Sequence, residues 1–342
     1  MQYKLTKGDL LDKDGNLAEA GYATSLVRTY DRKKIKAGKL RIKEWDYYLI
    51  YNQQFGVALT VDDNRYMGLT GISFLDFTNR TEKTVNLMTA LPVGKTGLPS
   101  SSDTGVTHFR DKRCYFSFKV KDGKRILLAR MENFDQGQPI RMKIILSEEP
   151  EDSMVIATPF EKPGHFYYNQ KIVGMRAKGV VEYLGQKYYF NPEDSFSLLD
   201  WGRGVWTYEN TWYWSAMQGE ADGKVFGFNL GYGFGNTEAA SENMIFYEGK
   251  AHKLDRVSFH IPGEDQGKPE YLKPWKFTSS DQRLELDFTP ILDRSAYTSA
   301  GIILSDQHQV FGWFDGTVVL DNGEQITVKR MLGFAEKVRN KW

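Results

Sequence analysis

Cys114-Tyr115-Phe116-Ser117-Phe118-Lys119-Val120, followed by Asp122-Gly123 and the apolar run from Ile126 to Met131, decides the fold class of this 342-residue chain. Cys114, Phe116, Phe118 and Val120 fall on one face, and Tyr115, Ser117 and Lys119 on the other. That alternation is a half-buried strand. An Asp-Gly pair between two such runs predicts a hairpin, because both central positions of the tight turn accept positive φ.

The same unit recurs. Trp212 to Met217 and Val225 to Leu230 flank Asp222-Gly223, and Thr317 to Leu320 and Gln325 to Val328 flank Asn322-Gly323. Glu182-Tyr183 and Tyr188-Tyr189 flank a turn at Gly185. Val257, Phe259 and Ile261, then Leu284, Leu286 and Phe288, alternate with polar residues. Strands spaced this closely imply a barrel or sandwich. Two short helices are predicted. Asn191-Pro192-Glu193-Asp194 has an N-cap, a first-turn proline and first-turn acids, running to about Leu199. Phe334, Val338 and Trp342 share one helical face. The segment from Leu91 to Gly105 reads as a long loop at a barrel mouth.

At roughly 100–200 residues per domain, the length favours two domains. The composition shift after Phe190 divides them into residues 1–190 and 191–342. Net charge is +1, which argues against a nucleic-acid partner. With one cysteine, Cys114, and no paired histidine spacing, neither a disulfide nor a metal site is expected. There is no apolar leader and no run long enough for a helical membrane span, so the chain reads as cytoplasmic.

The function-bearing stretch is aromatic. Trp201, Trp206, Trp212 and Trp214 lie among Asp200, Arg203, Asn229, Tyr232, Glu242, Asn243 and His252. A few polar groups among aromatic walls fit a pocket for an apolar small molecule. The plain alternative is an aromatic core with satisfied polar side chains. Asp200, Glu242 and His252 are the candidate proton-transfer groups. Trp201, Trp206, Trp212, Trp214 and Tyr232 are the candidate wall, with Arg203, Asn229 and Asn243 as polar contacts. Trp212 and Trp214 share a strand face, and with Trp201 and Tyr232 they are expected to border one cavity in the C-terminal half.

Leu199-Asp200-Trp201-Gly202-Arg203-Gly204, Trp212-Tyr213-Trp214, Phe228-Asn229-Leu230-Gly231, Glu242-Asn243 and Lys253-Leu254 resemble a bacterial domain of unknown function, numbered 2804. Lys43-Glu44-Trp45-Asp46-Tyr47-Tyr48 and the segment from Phe311 to Gly316 fit it too. A more distant likeness is to the carotenoid hydratase (hydroxyneurosporene synthase) and tocopherol cyclase group. That group carries Asp-x-x-Trp-Gly where this chain has the shorter Asp200-Trp201-Gly202. The resemblance implies two tandem lipocalin-like antiparallel barrels with few short helices.

Three functions remain open at this point. One is a hydratase, cyclase or isomerase for a hydrophobic molecule, using no cofactor. Another is a carrier of a lipophilic ligand. The third is a carbohydrate-binding or carbohydrate-processing protein, which would need an exposed flat tryptophan platform.

Overall fold

A computed structural model describes residues 2–301 and 303–341. The protein is all-β. Its only helical elements among the described residues are two single 3-10 turns, Arg32–Lys34 and Lys39–Arg41. The hairpins form where the turn chemistry places them. Strand Cys114–Lys121 pairs antiparallel with Lys124–Asp135 around Asp122 (φ 53°) and Gly123 (φ 69°). Strand Glu209–Ala221 pairs with Lys224–Tyr232 around Asp222 (φ 51°) and Gly223 (φ 74°).

Two large sheets result, each curled into a half-barrel. The spine of the first runs Thr81–Ala90, Met67–Asp76, Phe55–Asp63, Ile42–Tyr51, Phe196–Val205, Phe166–Tyr183, Gln138–Ser147, Lys124–Asp135, Cys114–Lys121 and Val106–Arg110. The second runs Lys250–Lys253, Met244–Tyr247, Lys224–Tyr232, Glu209–Ala221, Gln325–Lys341, Ile303–Val319, Leu284–Ala300, Trp275–Ser279 and Val257–His260. The two share a layout. In each, the last strand pairs with the first, as Phe196–Val205 does with Ile42–Tyr51 and Gln325–Lys341 with Glu209–Ala221. The open seam therefore falls in mid-meander, between Thr81–Ala90 and Val106–Arg110, and between Lys250–Lys253 and Val257–His260.

Both predicted helices are absent. Asn191 begins a single turn, its carbonyl accepting from the Asp194 and Ser195 amides at 3.1 and 2.9 Å. The chain then enters strand Phe196–Val205, whose residues are all buried, because partners cover both faces. The C-terminal segment is strand Gln325–Lys341. Phe334 and Val338 do share a face, but it is a strand face; Trp342 lies outside the described residues. The first sheet's last strand ends at Val205, and the second sheet's first strand begins at Glu209.

Each half-barrel encloses a core. The first contains Ile50, Val57, Leu59, Phe116, Leu127, Ile144, Tyr168 and Trp201. The second contains Phe226, Phe228, Trp275, Phe277, Phe288 and Phe314. A third apolar cluster joins the outer faces of the two sheets: Tyr47, Leu49, Tyr51 and Leu198 from the first, Trp214, Ala216, Phe311 and Phe334 from the second.

Candidate active site between the two sheets

Strand parity determines which residues meet. In Phe196–Val205, Asp200, Gly202 and Gly204 face the second sheet, while Trp201 and Arg203 face the first interior. Trp201 packs on Tyr30 and Tyr168 there, beneath the Arg203 guanidinium, which is 4.3 Å from its ring. Arg203 pairs with Asp46 at 3.0 Å and donates to the Pro99 carbonyl at 2.7 Å. Trp201 and Arg203 thus lie apart from Asp200 although they adjoin it in sequence. Tyr232 lies apart as well. It stacks on Tyr213 at 4.5 Å within the second half-barrel, since Tyr213 has the opposite parity to Trp212 and Trp214. The single cavity bordered by all four aromatics does not form.

Asp200, Trp212, Trp214, Asn229 and Glu242 do come together, between the sheets. Asp200 pairs with Lys171 at 2.8 Å and accepts from Asn169 Nδ2 at 2.6 Å. The Lys171 ammonium sits 3.8 Å from the Trp214 ring centroid. Trp214 Nε1 donates to Asn229 Oδ1 at 2.7 Å. Asn229 Nδ2 in turn donates to the Glu242 carbonyl at 2.9 Å and to its carboxylate at 3.3 Å. On the other side, Trp212 Nε1 and Gln309 Nε2 each donate to Glu336, both at 2.9 Å. Tyr47 OH reaches Gln309 at 3.4 Å.

Burial governs the protonation of this cluster. It raises the pKa of Glu336 to about 6, against the hydrogen bonds from Trp212 and Gln309 and the charge of Lys171. Burial also raises Glu242, against Lys171 and Asn229, with Asp200 adding repulsion. Tyr167 is held far above its ordinary value, first by burial and then by the charges of Glu242, Asp200 and Glu336. The charges of three carboxyl groups therefore bear on one tyrosine, and Lys171 is the cation that Glu242 and Glu336 share.

An aromatic cluster covers the polar groups. Trp45 stacks on Tyr167 (6.0 Å) and meets Trp206 (5.2 Å); Phe234 packs against Tyr167, Trp206 and Trp212 at 4.8, 4.8 and 5.5 Å. Two glycines make room. A Cβ on Gly202 would lie 1.9 Å from the Trp45 ring, and one on Gly231 would lie 2.6 Å from Glu242 Oε1. Phe234 stands on the irregular segment after Lys224–Tyr232, between Gly233 (φ 88°) and Gly235 (φ 69°). Glu242 closes the same segment, and Asn243 ties it down by accepting from the Gly231 amide at 2.7 Å and donating to the Asp255 carbonyl at 2.9 Å.

His252 takes no part in this cluster. It lies on edge strand Lys250–Lys253, where Nδ1 accepts from the Asp321 amide at 3.2 Å. Sequence reasoning passed over Lys171, Glu336, Gln309, Tyr167 and Phe234. Glu336 was concealed by the helical reading of its segment, whereas alternation of Phe334, Glu336, Val338 and Asn340 marks it as facing the neighbouring sheet.

The described residues hold no group of three or more metal-ligating side chains. Among the described residues no helix is long and apolar enough to cross a membrane. The family model for a domain of unknown function, DUF2804, matches residues 2–342. The chain belongs to that family. A search of curated proteins gives no match. Among solved structures, this DUF2804 chain is similar to a candidate AttH protein of Nitrosomonas europaea, with 12% identity and a TM-score of 0.57, over 92% of this chain and 98% of that one. A kievitone hydratase from Nectria haematococca aligns over 98% of each chain at 11% identity and a TM-score of 0.49. The first likeness establishes a shared fold.

Proposed function

We propose that the protein is an acid–base enzyme for an apolar, unsaturated small molecule, with its reaction centre between the two sheets. The observation that carries this reading is Glu336: a buried carboxyl group with a pKa of about 6, hydrogen-bonded to the indole that walls the cluster. At neutral pH about a tenth of it is protonated, close to the balance that general acid catalysis favours. The substrate displaces Phe234 from between Trp206 and Trp212. Glu336 gives its proton to a substrate carbon–carbon double bond, and the faces of Trp45 and Trp212 stabilise the developing cation. In a hydration, water adds to the cation and its surplus proton returns to the Glu336 carboxylate. In a cyclisation or isomerisation, a carbon-bound proton returns there. The Lys171–Asp200 pair fixes the opposite wall.

Among the described residues no tryptophan is strongly exposed, which weighs against a sugar-stacking platform.

The test is solvent deuterium. Molecules that co-purify with the protein are identified by native mass spectrometry and returned to it in heavy water. Deuterium is expected to enter carbon-bound positions with the wild type and to be lost in Glu336→Gln. Tight binding with no incorporation in either protein would make it a carrier.

A further inference from the structure

The outer face of the first sheet, away from the second, bears rows of basic and aliphatic side chains whose register is fixed by three strand pairings across four strands. Lys119, Ile126, Ile145 and Lys178 lie in one cross-strand row. Ser117, Leu128, Lys143 and Val180 form the next, and Tyr115, Arg130, Arg141 and Glu182 the third. Lys124 extends the face at the hairpin turn. Neighbouring strands are about 4.8 Å apart and alternate residues about 6.7 Å, so the charges form a two-dimensional grid. A shallow groove of about 310 Å³ runs through it, lined by Leu128, Val180, Arg130, Arg141 and Lys143, with Glu182 as its one acidic group.

These charges are largely unneutralised. Arg130 pairs with Glu132, but Lys119, Lys124, Arg141, Lys143 and Lys178 are exposed and have no carboxylate partner among the described residues. The second half-barrel has exposed bases without a carboxylate partner among the described residues too, Arg256, Lys268, Lys329 and Arg330, but a larger share of its bases is paired. There Lys224 pairs with Glu248, Lys276 with Glu285, Arg283 with Asp321 and Arg339 with Glu209, at 2.6–2.9 Å. Residues 1–205 carry 31 Lys and Arg against 25 Asp and Glu, and residues 206–342 carry 14 against 19, so the net charge of +1 is the sum of a basic half and an acidic half.

We propose that this face docks the protein on an anionic lipid bilayer. A plane of head groups matches a grid of charges, whereas a nucleic-acid strand needs a linear track with aromatic platforms. The residues between the charges are mainly aliphatic: Ile126, Leu128, Ile145 and Val180. Short aliphatic chains beside lysine and arginine suit the head-group boundary, where the long basic side chains spread their charge outward.

The full chain is mixed with vesicles of phosphatidylcholine, with or without phosphatidylglycerol, and the bound fraction is measured by flotation. Binding is expected only with the anionic lipid. It should vanish as salt rises toward ~1 M, where the screening length falls to about 3 Å. Arg141→Glu with Lys143→Glu should lower partitioning at least about tenfold. Lys224→Glu with Lys276→Glu, an equal charge change on the other half, should leave it unchanged. Both pairs are at the surface, and unaltered circular dichroism confirms folding. Equal binding to neutral vesicles, equal loss in both double variants, or binding to a single-stranded oligonucleotide or polyglutamate without binding to vesicles would each overturn the proposal.

Discussion

The two half-barrels have the same strand layout and an apolar core each, but among the described residues only the first adds a network of buried charge to that core. The second is filled by Phe226, Phe228, Trp275, Phe277, Phe288 and Phe314. The first holds buried charge. Glu44 accepts from Arg32 Nε at 2.8 Å and from Tyr30 OH at 2.7 Å; Asp46 pairs with Arg203; Arg125 pairs with Glu149 at 2.9 Å. The reason lies at the seam. In the second half a three-residue link, 254–256, joins the edge strands. In the first, residues 91–105 cross the barrel end without regular structure, and their backbone carbonyls need donors. Arginines supply them: Arg32 to Leu98 O at 2.9 Å, Arg203 to Pro99 O at 2.7 Å and Arg125 to Ser102 O at 2.8 Å. The loop leaves a cavity of about 10 Å³ beneath it, room for about one water. A shared topology thus permits two solutions to closure. The polar cluster suited to chemistry lies between the half-barrels.

The largest expected effect breaks this contrast at Arg203. Arg203→Ala leaves Asp46 buried without its cation and the Pro99 carbonyl without donors. A loss of about 3–5 kcal/mol in urea unfolding is expected. Arg203→Met combined with Asp46→Leu should recover most of it, because an apolar pair avoids the uncompensated charge. Phe314→Ala in the second half should cost a similar ~3–5 kcal/mol by a different route, a cavity. No second substitution that merely adjusts charge should recover it. An Arg203→Ala cost below ~1 kcal/mol would remove the distinction between the two closures.

The next effect sharpens the boundary between the halves. Gly202→Ala puts a methyl group inside the Trp45 ring position, on strands that cannot separate without breaking their ladder. Trp45 must leave Trp206 and Tyr167, at a cost of about 2–3 kcal/mol. Gly223→Ala, at a turn where a Cβ meets nothing, should cost only about 1 kcal/mol, for its positive φ. Equal losses at the two positions would mean that Trp45 is not fixed by the sheet beneath it.

The fold was legible where turn chemistry and alternation agreed, as at Asp122-Gly123 and Asp222-Gly223. It was misread where one pattern served two structures. Phe334 and Val338 are four apart, and residues four apart share a face in a strand as well as in a helix. The cap-like run at Asn191 formed its turn, but the strand that follows is buried on both faces and shows no polar alternation. Of the residues that meet between the sheets, Asp200, Trp212, Trp214, Asn229 and Glu242 were named together because they cluster in sequence. Trp201 and Arg203 were grouped with them by the same proximity, although parity sends them to the opposite face. Lys171 and Glu336 arrive from strands 29 residues before and 136 after Asp200, a pairing only the tertiary fold reveals.

The smallest effect tests the character of the polar cluster against that of the first interior. Glu336 has no guanidinium bonded to it; its oxygens accept from an indole and an amide. Burial raises its pKa to about 6, from the ordinary 4.5 that applies when the chain is unfolded. The folded state therefore binds this proton more tightly. The stabilisation is complete below about pH 4.5 and is lost as pH rises through about 6, a change on the order of 2 kcal/mol. Asp62, raised to about 7 by burial, acts in the same direction and is common to both proteins, so a difference measurement cancels it. Glu336→Gln keeps the shape and cannot ionise. Its stability relative to wild type should rise by about 2 kcal/mol between pH 4.5 and pH 7, read by chemical denaturation at stepped pH. The opposite slope would mean that Lys171 holds Glu336 as an anion. The space between the sheets would then be closed by ion pairs like the first barrel, and Glu336 would have no proton to give at neutral pH.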